Sequence, residues 1–422
     1  MEHEKLYFNV ISPLKDWKVD MWFSFDFVFL IYRISTFPER FKYKVIEFLQ
    51  PYFKQDAYLL FDCLYDNNAE CIDTFTLFQY LQKNNIKSYY LINKNNKTFD
   101  KIKKITNLKN VIIMKPPQKF PLIIYYYILI THTIVASFGY DYSLKLERLI
   151  YKNRKINYIF CNHGMSFMKL FPVKYYYDSN RFNYFIVSNE FEEKMLIENT
   201  HWSDKNLIKT GFLRLDSLKK ENNTDKNIFI MFTWRKYLTD IDFVQSNYFY
   251  ALDSLLNNEE LVKYAQNNNI KIKISFHHEL IRRINLTDNI IFKNKNIEIV
   301  EMTNISEQIS KTSLFITDFS SIAFDFMYLD IPVIFYRFDT DLKEHIKEEE
   351  SINYAISKDK YLYNCCYTEE DTVKTIIKYI QNGFVLEDEN KEKNKQFFTY
   401  VQKNSVCKNL VEIINNLNKD KW

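Results

Sequence analysis

The side chains of this protein best suited to chemistry follow directly on short apolar runs. Tyr158, Ile159 and Phe160 lead into Cys161, Asn162, His163 and Gly164, which puts His163 at the carboxyl end of an expected strand. In open α/β sheets that end is where ligands bind. A neutral imidazole there can accept a proton from a hydroxyl at cell pH, although the same placement suits a hydrogen-bonded structural histidine. Gly164 permits a sharp backbone turn beside a substrate. His277 and His278 end a second apolar stretch, Ile270 to Phe276, and either could hold or protonate a phosphate leaving oxygen. The histidine spacing of helical metal sites is absent. The acidic pairs Asp240 with Asp242 and Asp339 with Asp341 are of a kind common in surface turns, so no metal is expected.

Two arginines lie in comparable settings. Arg235 closes Phe232-Thr233-Trp234-Arg235, and Arg214 with Asp216 sits in Thr210-Gly211-Phe212-Leu213-Arg214-Leu215-Asp216. A guanidinium fork suits a pyrophosphate, yet arginines of this kind are also common as solvated surface. The stretch Leu314 to Tyr336, LFITDFSSIAFDFMYLDIPVIFY, combines several signals. It reads as a buried strand, a polar turn (Thr317, Asp318, Ser320, Ser321), a short helix from Ile322 to Leu329, a break at Pro332 and a second strand. Hydroxyls at a strand-to-helix turn can donate to phosphate oxygens, and they equally serve as helix caps.

The elements that must position these residues alternate. Strand patterns occur at Ala57 to Phe61, Ser88 to Ile92, Val111 to Met114, Tyr158 to Phe160 and Ile186 to Ser188, with helical patterns at Thr74 to Lys83 and Glu190 to Glu198. The second half repeats the theme with strands at Asn227 to Phe232, Ile270 to Phe276 and Ile297 to Val300, and a helix at Tyr248 to Ala265. Such alternation predicts mostly parallel sheets covered by helices. Lys205 to Leu218 is the expected boundary, giving domains 1–205 and 206–422 that face each other across a cleft.

Composition narrows the function. The 422 residues are 47% hydrophobic, enough for full cores, and the net charge of +4 does not point to general nucleic-acid binding. Six cysteines without metal-ligand spacing fit reduced cytoplasmic thiols. Only 4 glycines are present where average usage would give roughly 30, so each one kept is expected to hold a backbone position closed to other residues. The start, MEHEKLYFNV, carries no secretory pattern. Phe120 to Phe138 is 19 residues without formal charge. Its polar centre, Thr131-His132-Thr133, and Pro121 favour a helix from Leu122 to Leu129 followed by a buried strand from Thr133 to Ser137. The aromatic segment Trp17 to Arg33 is suited to a membrane surface rather than a span.

The order of these elements resembles the CDP-glycerol glycerophosphotransferase family of teichoic-acid and capsule primases and polymerases. The resemblance rests on His-Gly after a strand, Gly-x-x-Arg-x-Asp-x-Leu, Thr-Trp-Arg, a strand-end His, and Thr-Asp-x-Ser-Ser with Phe-Asp-Phe, Pro and Phe-Tyr. It runs from about Asp66 to Lys343, with Asp66-Asn67-Asn68-Ala69 similar to the family's Asp-Asp-Asn segment. It implies a GT-B-like α/β architecture of two Rossmann-type domains, the first binding acceptor and the second CDP-glycerol.

By the same resemblance, His163 is the acceptor base and His277 contacts the donor pyrophosphate. Arg214, Asp216, Thr233, Arg235, His278, Thr317, Asp318, Ser320, Ser321 and Asp325 belong to the donor site, and Gly164, Asp66 and Asn67 to the acceptor side. No cofactor is implied. The implied partners are CDP-glycerol, a lipid-linked or capsular polymer acceptor and, peripherally, the inner face of the cytoplasmic membrane. A CDP-ribitol donor, or a nucleotide sugar in a GT-B glycosyltransferase, would use the same phosphate site. The chain departs from the family pattern at Met165-Ser166 (usually Thr-Pro), at His278 (usually Pro) and at Leu213 (usually Pro).

Overall fold

The computed structural model describes residues 48–62, 64, 72–105, 108–114, 123–137, 156–168, 182–221, 226–235, 238, 243–276, 280, 297–300, 305–339 and 356–419. The first half builds a seven-stranded sheet from β1 (Ala57–Phe61), β2 (Ser88–Asn93), β3 (Val111–Met114), β4 (Thr131–Ala136), β5 (Asn157–Phe160), β6 (Tyr184–Val187) and β7 (Leu207–Lys209), in the spatial order β3-β2-β1-β4-β5-β6-β7. The second half builds a six-stranded sheet from β8 (Asn227–Ile230), β9 (Lys271–Ile274), β10 (Ile297–Ile299), β11 (Leu314–Thr317), β12 (Val333–Tyr336) and β13 (Cys365–Cys366), in the order β10-β9-β8-β11-β12-β13. Every described pairing is parallel. The strands bounding each reversal, β1 and β4 or β8 and β11, are buried at every position but one, His132 in β4. This is why they read as apolar runs rather than alternating ones.

Both sheets therefore reverse strand order once, between β1 and β4 and between β8 and β11. The crevice outside the carboxyl ends at such a reversal is the ligand site of open α/β sheets. A single cluster of buried apolar side chains joins the halves: Phe75, Phe78, Ile159 and Phe167 from the first are continuous with Phe315, Phe324, Phe326 and Phe335 from the second.

The expected elements form with small shifts. Phe120 to Phe138 contains the helix Ile123–Ile130 and strand β4, and no described helix is long and apolar enough to cross a membrane. The single helix expected at Tyr248 to Ala265 is instead two, Asn247–Asn257 and Glu259–Asn267. Asn258 adopts a non-helical conformation between them, and its side chain accepts from Leu261 N at 3.1 Å, capping the second. One strand beyond Ile186 to Ser188 joins the first sheet, β7, so this sheet extends a few residues past 205. The C-terminal helix Val406–Lys419 returns to the first half, where Asn418 bonds Asn157 at 2.7 Å. The segment Trp17 to Arg33 lies outside the described residues.

Candidate active site

Three first-half strands end level, since Phe61 pairs with Ala136 and Ala136 with Phe160. The next residue on each strand, Asp62, Ser137 and Cys161, starts the site floor. Asp62 is buried and accepts from Ser137 Oγ at 2.5 Å, Tyr90 Oη at 2.9 Å and Thr74 N at 3.1 Å. Burial raises its pKa, and these donors oppose that shift. Beyond Cys161 the backbone turns at Asn162, whose φ of 50° is one that Asn tolerates better than most residues. Its side chain accepts from His163 N at 2.9 Å and donates to Gly164 O at 2.7 Å and to Ser166 Oγ at 3.1 Å. Buried Glu192 braces the same loop, accepting from Ser166 N at 2.8 Å and Ser188 N at 2.9 Å. Burial pushes Glu192 up to about 7.

The loop projects His163. Desolvation first, then the Arg214 guanidinium, push the imidazole down from its ordinary value to about 4, against a hydrogen bond to the Ser137 backbone. His163 itself is exposed, and the direction of the shift leaves it neutral at neutral pH. With one ring nitrogen bonded to Ser137, the other is placed to accept a proton.

Gly164 decides which part of the second half this loop meets. A Cβ added there would lie 2.5 Å from Ser321 Oγ and 3.2 Å from Ser321 Cβ. The His163 loop and the Ser320-Ser321 turn therefore touch across the cleft, and a side chain at position 164 requires Ser321 to shift. Gly164→Ala is expected to push the turn away and lower turnover about 10- to 100-fold, the cost of a small misplacement of reacting groups. Steady-state rates alongside an unchanged unfolding midpoint would check this.

Ser320 and Ser321 are half-buried, and neither side chain caps the short helix Ala323–Tyr328 that comes next. Their neighbours have other tasks. Thr317 donates to Met231 O at 2.6 Å, and Asp318, wholly buried, accepts from Thr233 N at 2.7 Å and pairs with Arg235 at 2.7 Å. Arg235 is also wholly buried, reaching Asp339 at 3.2 Å and Thr233 O at 2.8 Å. Arg337 donates to the Asp318 carbonyl, pairs with Asp359 and stacks 4.1 Å over Phe319. Arg235 and Arg337 thus fix the turn from behind.

Arg214 and Asp216 are similarly engaged. Arg214 Nε donates to both Asp325 oxygens at 2.9 and 3.1 Å, and Nη1 to both Asp73 oxygens at 3.0 and 3.2 Å. This buried clasp joins the first-half helix Asp73–Lys83 to the second-half helix Ala323–Tyr328. Asp216 accepts from Val406 N at 3.0 Å and Cys407 N at 2.8 Å, holding the start of the C-terminal helix. Of the residues singled out in the sequence, the structure brings His163, Gly164, Ser320 and Ser321 together at the cleft. It places Arg214, Asp216, Arg235, Thr317, Asp318 and Asp325 in the frame behind, with Thr233 half-buried at its edge. His277, His278, Asp66 and Asn67 lie outside the described residues.

Sequence reasoning overlooked Asp62, Asp73, Asn162, Glu192 and Arg337. For Asp62 and Arg337 the signal was present, since each directly follows an apolar strand, close to where His163 stands after its own. Asp73 and Glu192 read as ordinary first-turn acids of amphipathic helices. Among the described residues no group of three His, Cys, Asp or Glu is arranged to hold a metal.

The family model for CDP-Glycerol:Poly(glycerophosphate) glycerophosphotransferase matches residues 43–416. The chain belongs to this family. It is 27% identical over 378 residues to the minor teichoic acid biosynthesis protein GgaB of Bacillus subtilis (strain 168), a match covering 83% of this chain and 39% of that protein. A teichoic acid glycerol-phosphate transferase of Staphylococcus aureus (strain NCTC 8325 / PS 47) is 25% identical over 181 residues, covering 39% of this chain and 43% of its own. The chain thus spans about two fifths of the length of these curated relatives. Among solved structures, a variant of the wall teichoic acid polymerase TagF superposes with a TM-score of 0.60 at 14% identity, covering 90% of this chain and 94% of that one. UDP-GlcNAc 2-epimerase from Neisseria meningitidis, bound to UDP-GlcNAc, gives 0.52 at 13% identity over 85% and 99% of the two chains. These likenesses establish the GT-B-like fold expected from the sequence, and the family match establishes the resemblance.

Proposed function

We propose that the protein transfers glycerol phosphate from CDP-glycerol to a hydroxyl of a teichoic-acid-like or capsular polymer and releases CMP. The observation that carries this reading is the contact between Gly164 and Ser321, which sets a neutral histidine against a pair of half-buried hydroxyls across one cleft. The family assignment supports it, as does the solved TagF variant carrying CDPG, which shares the fold. In the proposed reaction the acceptor oxygen gives its proton to His163 and forms a bond to the β-phosphorus. The bond from that phosphorus to the bridging oxygen breaks, and CMP leaves with the electron pair. Ser320 and Ser321 donate to the phosphate oxygens, and His277 meets the leaving phosphate. Arg214, Arg235, Asp318 and Asp325 act from behind by fixing the serine turn and the closure of the halves. A lipid-linked acceptor would bring the chain to the inner membrane face, with Trp17 to Arg33 as the contact.

A donor screen that monitors nucleotide release tests the reaction. CMP from CDP-glycerol is the expected result. CMP from CDP-ribitol alone would move the assignment to a ribitolphosphotransferase, and turnover only of a nucleotide sugar would overturn phosphoryl transfer in favour of glycosyl transfer.

A further inference from the structure

One segment of the first half is strongly basic. Between Lys94 and Lys109 lie six lysines (94, 97, 101, 103, 104 and 109) and a single acid, Asp100, a formal +5. The whole chain, with 57 Lys and Arg against 53 Asp and Glu, carries +4, so everything outside this segment sums to −1. All six lysines are exposed.

The backbone beneath them is built. Asn93, Asn96, Thr98 and Ile102 are buried. Asn93 accepts from Asn95 N at 2.9 Å and donates to Leu64 O at 3.0 Å, while Asn96 accepts from Thr98 N at 2.8 Å. The segment leaves the carboxyl end of β2, and Lys94 N donates to Met114 O at the end of β3 at 2.9 Å. The start of the segment therefore lies on the cleft side of the first sheet, and the helix Phe99–Ile105 runs from there back towards Val111, the first residue of β3. Lys101 Nζ is 3.4 Å from Ser306 Oγ on the second half, so Lys101 lies where the halves meet, with Lys94 and Lys97 before it after the carboxyl end of β2 and Lys104 one helical turn beyond. From β2 to β5, which leads into the His163 loop, is three strand steps, about 14 Å at the usual spacing.

We propose that Lys94, Lys97, Lys101 and Lys104 form a docking surface for a flexible polyanion whose repeating unit is an alkyl phosphodiester, the growing acceptor polymer of the proposed reaction. This rests on the acceptor class in that reading. Three features favour such a polymer over other anions. Lysines are compact point charges on long stems and match single phosphodiester charges at variable spacing, whereas bidentate recognition of fixed phosphates calls for arginine. Among the large apolar side chains of the segment only Ile105 is exposed, too little for an amphipathic helix seated in lipid. Phe99 packs against the core, leaving no exposed aromatic ring of the segment for base stacking by a single-stranded nucleic acid.

The test measures binding without donor, using the full chain, labelled poly(glycerol phosphate) and vesicles containing phosphatidylglycerol. The wild-type protein is expected to bind the polymer with an affinity that falls with salt. The combined K94Q, K97Q, K101Q and K104Q variant, with an unchanged unfolding midpoint, should bind at least about tenfold more weakly and with a shallower salt slope. The same four lysines changed to arginine keep the charge and should retain binding. Equal polymer binding by wild type and the glutamine variant overturns the proposal. So does loss in both variants, and so does a variant that loses only vesicle binding, which would make the surface a membrane contact. Tighter binding of a single-stranded oligonucleotide than of the polymer would likewise overturn it. Because no donor is present, failure of CMP release would sink the proposed reaction and leave this result standing.

Discussion

Replacing His163 with alanine is expected to lower CMP release from CDP-glycerol by at least about 100-fold, the usual contribution of a general base. The loop that carries it is held by Asn162 and Glu192 through backbone contacts that do not involve the imidazole, so the variant should fold. The pH profile supplies an independent check. A base must be neutral to accept a proton, so kcat/KM falls as pH drops through its pKa. Desolvation and then the Arg214 charge push His163 below the ordinary 6.5. Activity should therefore persist below pH 6.5, where an unshifted histidine would be losing it. A folded H163A protein with near-wild-type turnover would falsify the assignment, and an acid limb at or above 6.5 would contradict a base whose pKa is lowered in this way.

The second large effect concerns Arg214. Its guanidinium is buried between Asp73 and Asp325 with four contacts at 2.9–3.2 Å, and removing the charge strands two buried carboxylates. Arg214→Met is expected to cost about 3–5 kcal/mol, the scale for breaking a buried ion pair from one side. The two sides of the clasp respond differently. The carboxylates hold Arg214 firmly protonated, whereas for Asp73 desolvation outweighs the arginine and raises it to about 7, and Asp325 is raised for the same reason. Arg214 therefore stays charged, and the carboxylates are the groups that take up protons.

The sign of the pH effect comes from the same shifts. A carboxyl whose folded pKa is raised contributes stability that is complete below its unfolded value, near 3.9, and is lost as pH rises through the folded one. Without Arg214 both carboxylates shift further up. The deficit of the variant should then be small at acid pH and grow towards and beyond neutrality, as urea midpoints across pH would show. Because Asp325 sits in the helix directly after Ser321, turnover should fall as well, by about 10- to 100-fold, through misplacement of the serine turn. An arginine that contacts the donor predicts a different pattern, a raised KM for CDP-glycerol with stability unchanged. That outcome would return Arg214 to the pyrophosphate.

Most of the fold was legible in the chain because buried parallel strands are uninterrupted apolar runs. The segments at Ala57 to Phe61, Val111 to Met114, Leu314 to Thr317 and Val333 to Tyr336 need no tertiary information to be read as strands. β7 was missed because three residues, Leu207 to Lys209, are too few to show a period. The helix break at Asn258 was missed because an asparagine in the middle of an amphipathic pattern becomes a cap only through its backbone conformation. His163 and Ser320-Ser321 were legible for the same local reason, since each stands at the end of a strand.

The sequence by itself determined which residues stand at strand ends, because a buried strand giving way to an exposed turn leaves a local trace in residue type. Tertiary structure decided which of those residues face the cleft and which face the frame. Arg214, Arg235, Asp318 and Asp325 carry the same charges in either role. Only the packing of helix Asp73–Lys83 against the turn around Arg214, and of Asp339 and Asp359 behind the Asp318 turn, pairs them internally. A side chain's partner lies up to 141 residues away in these contacts, and no local pattern encodes a choice made at that distance.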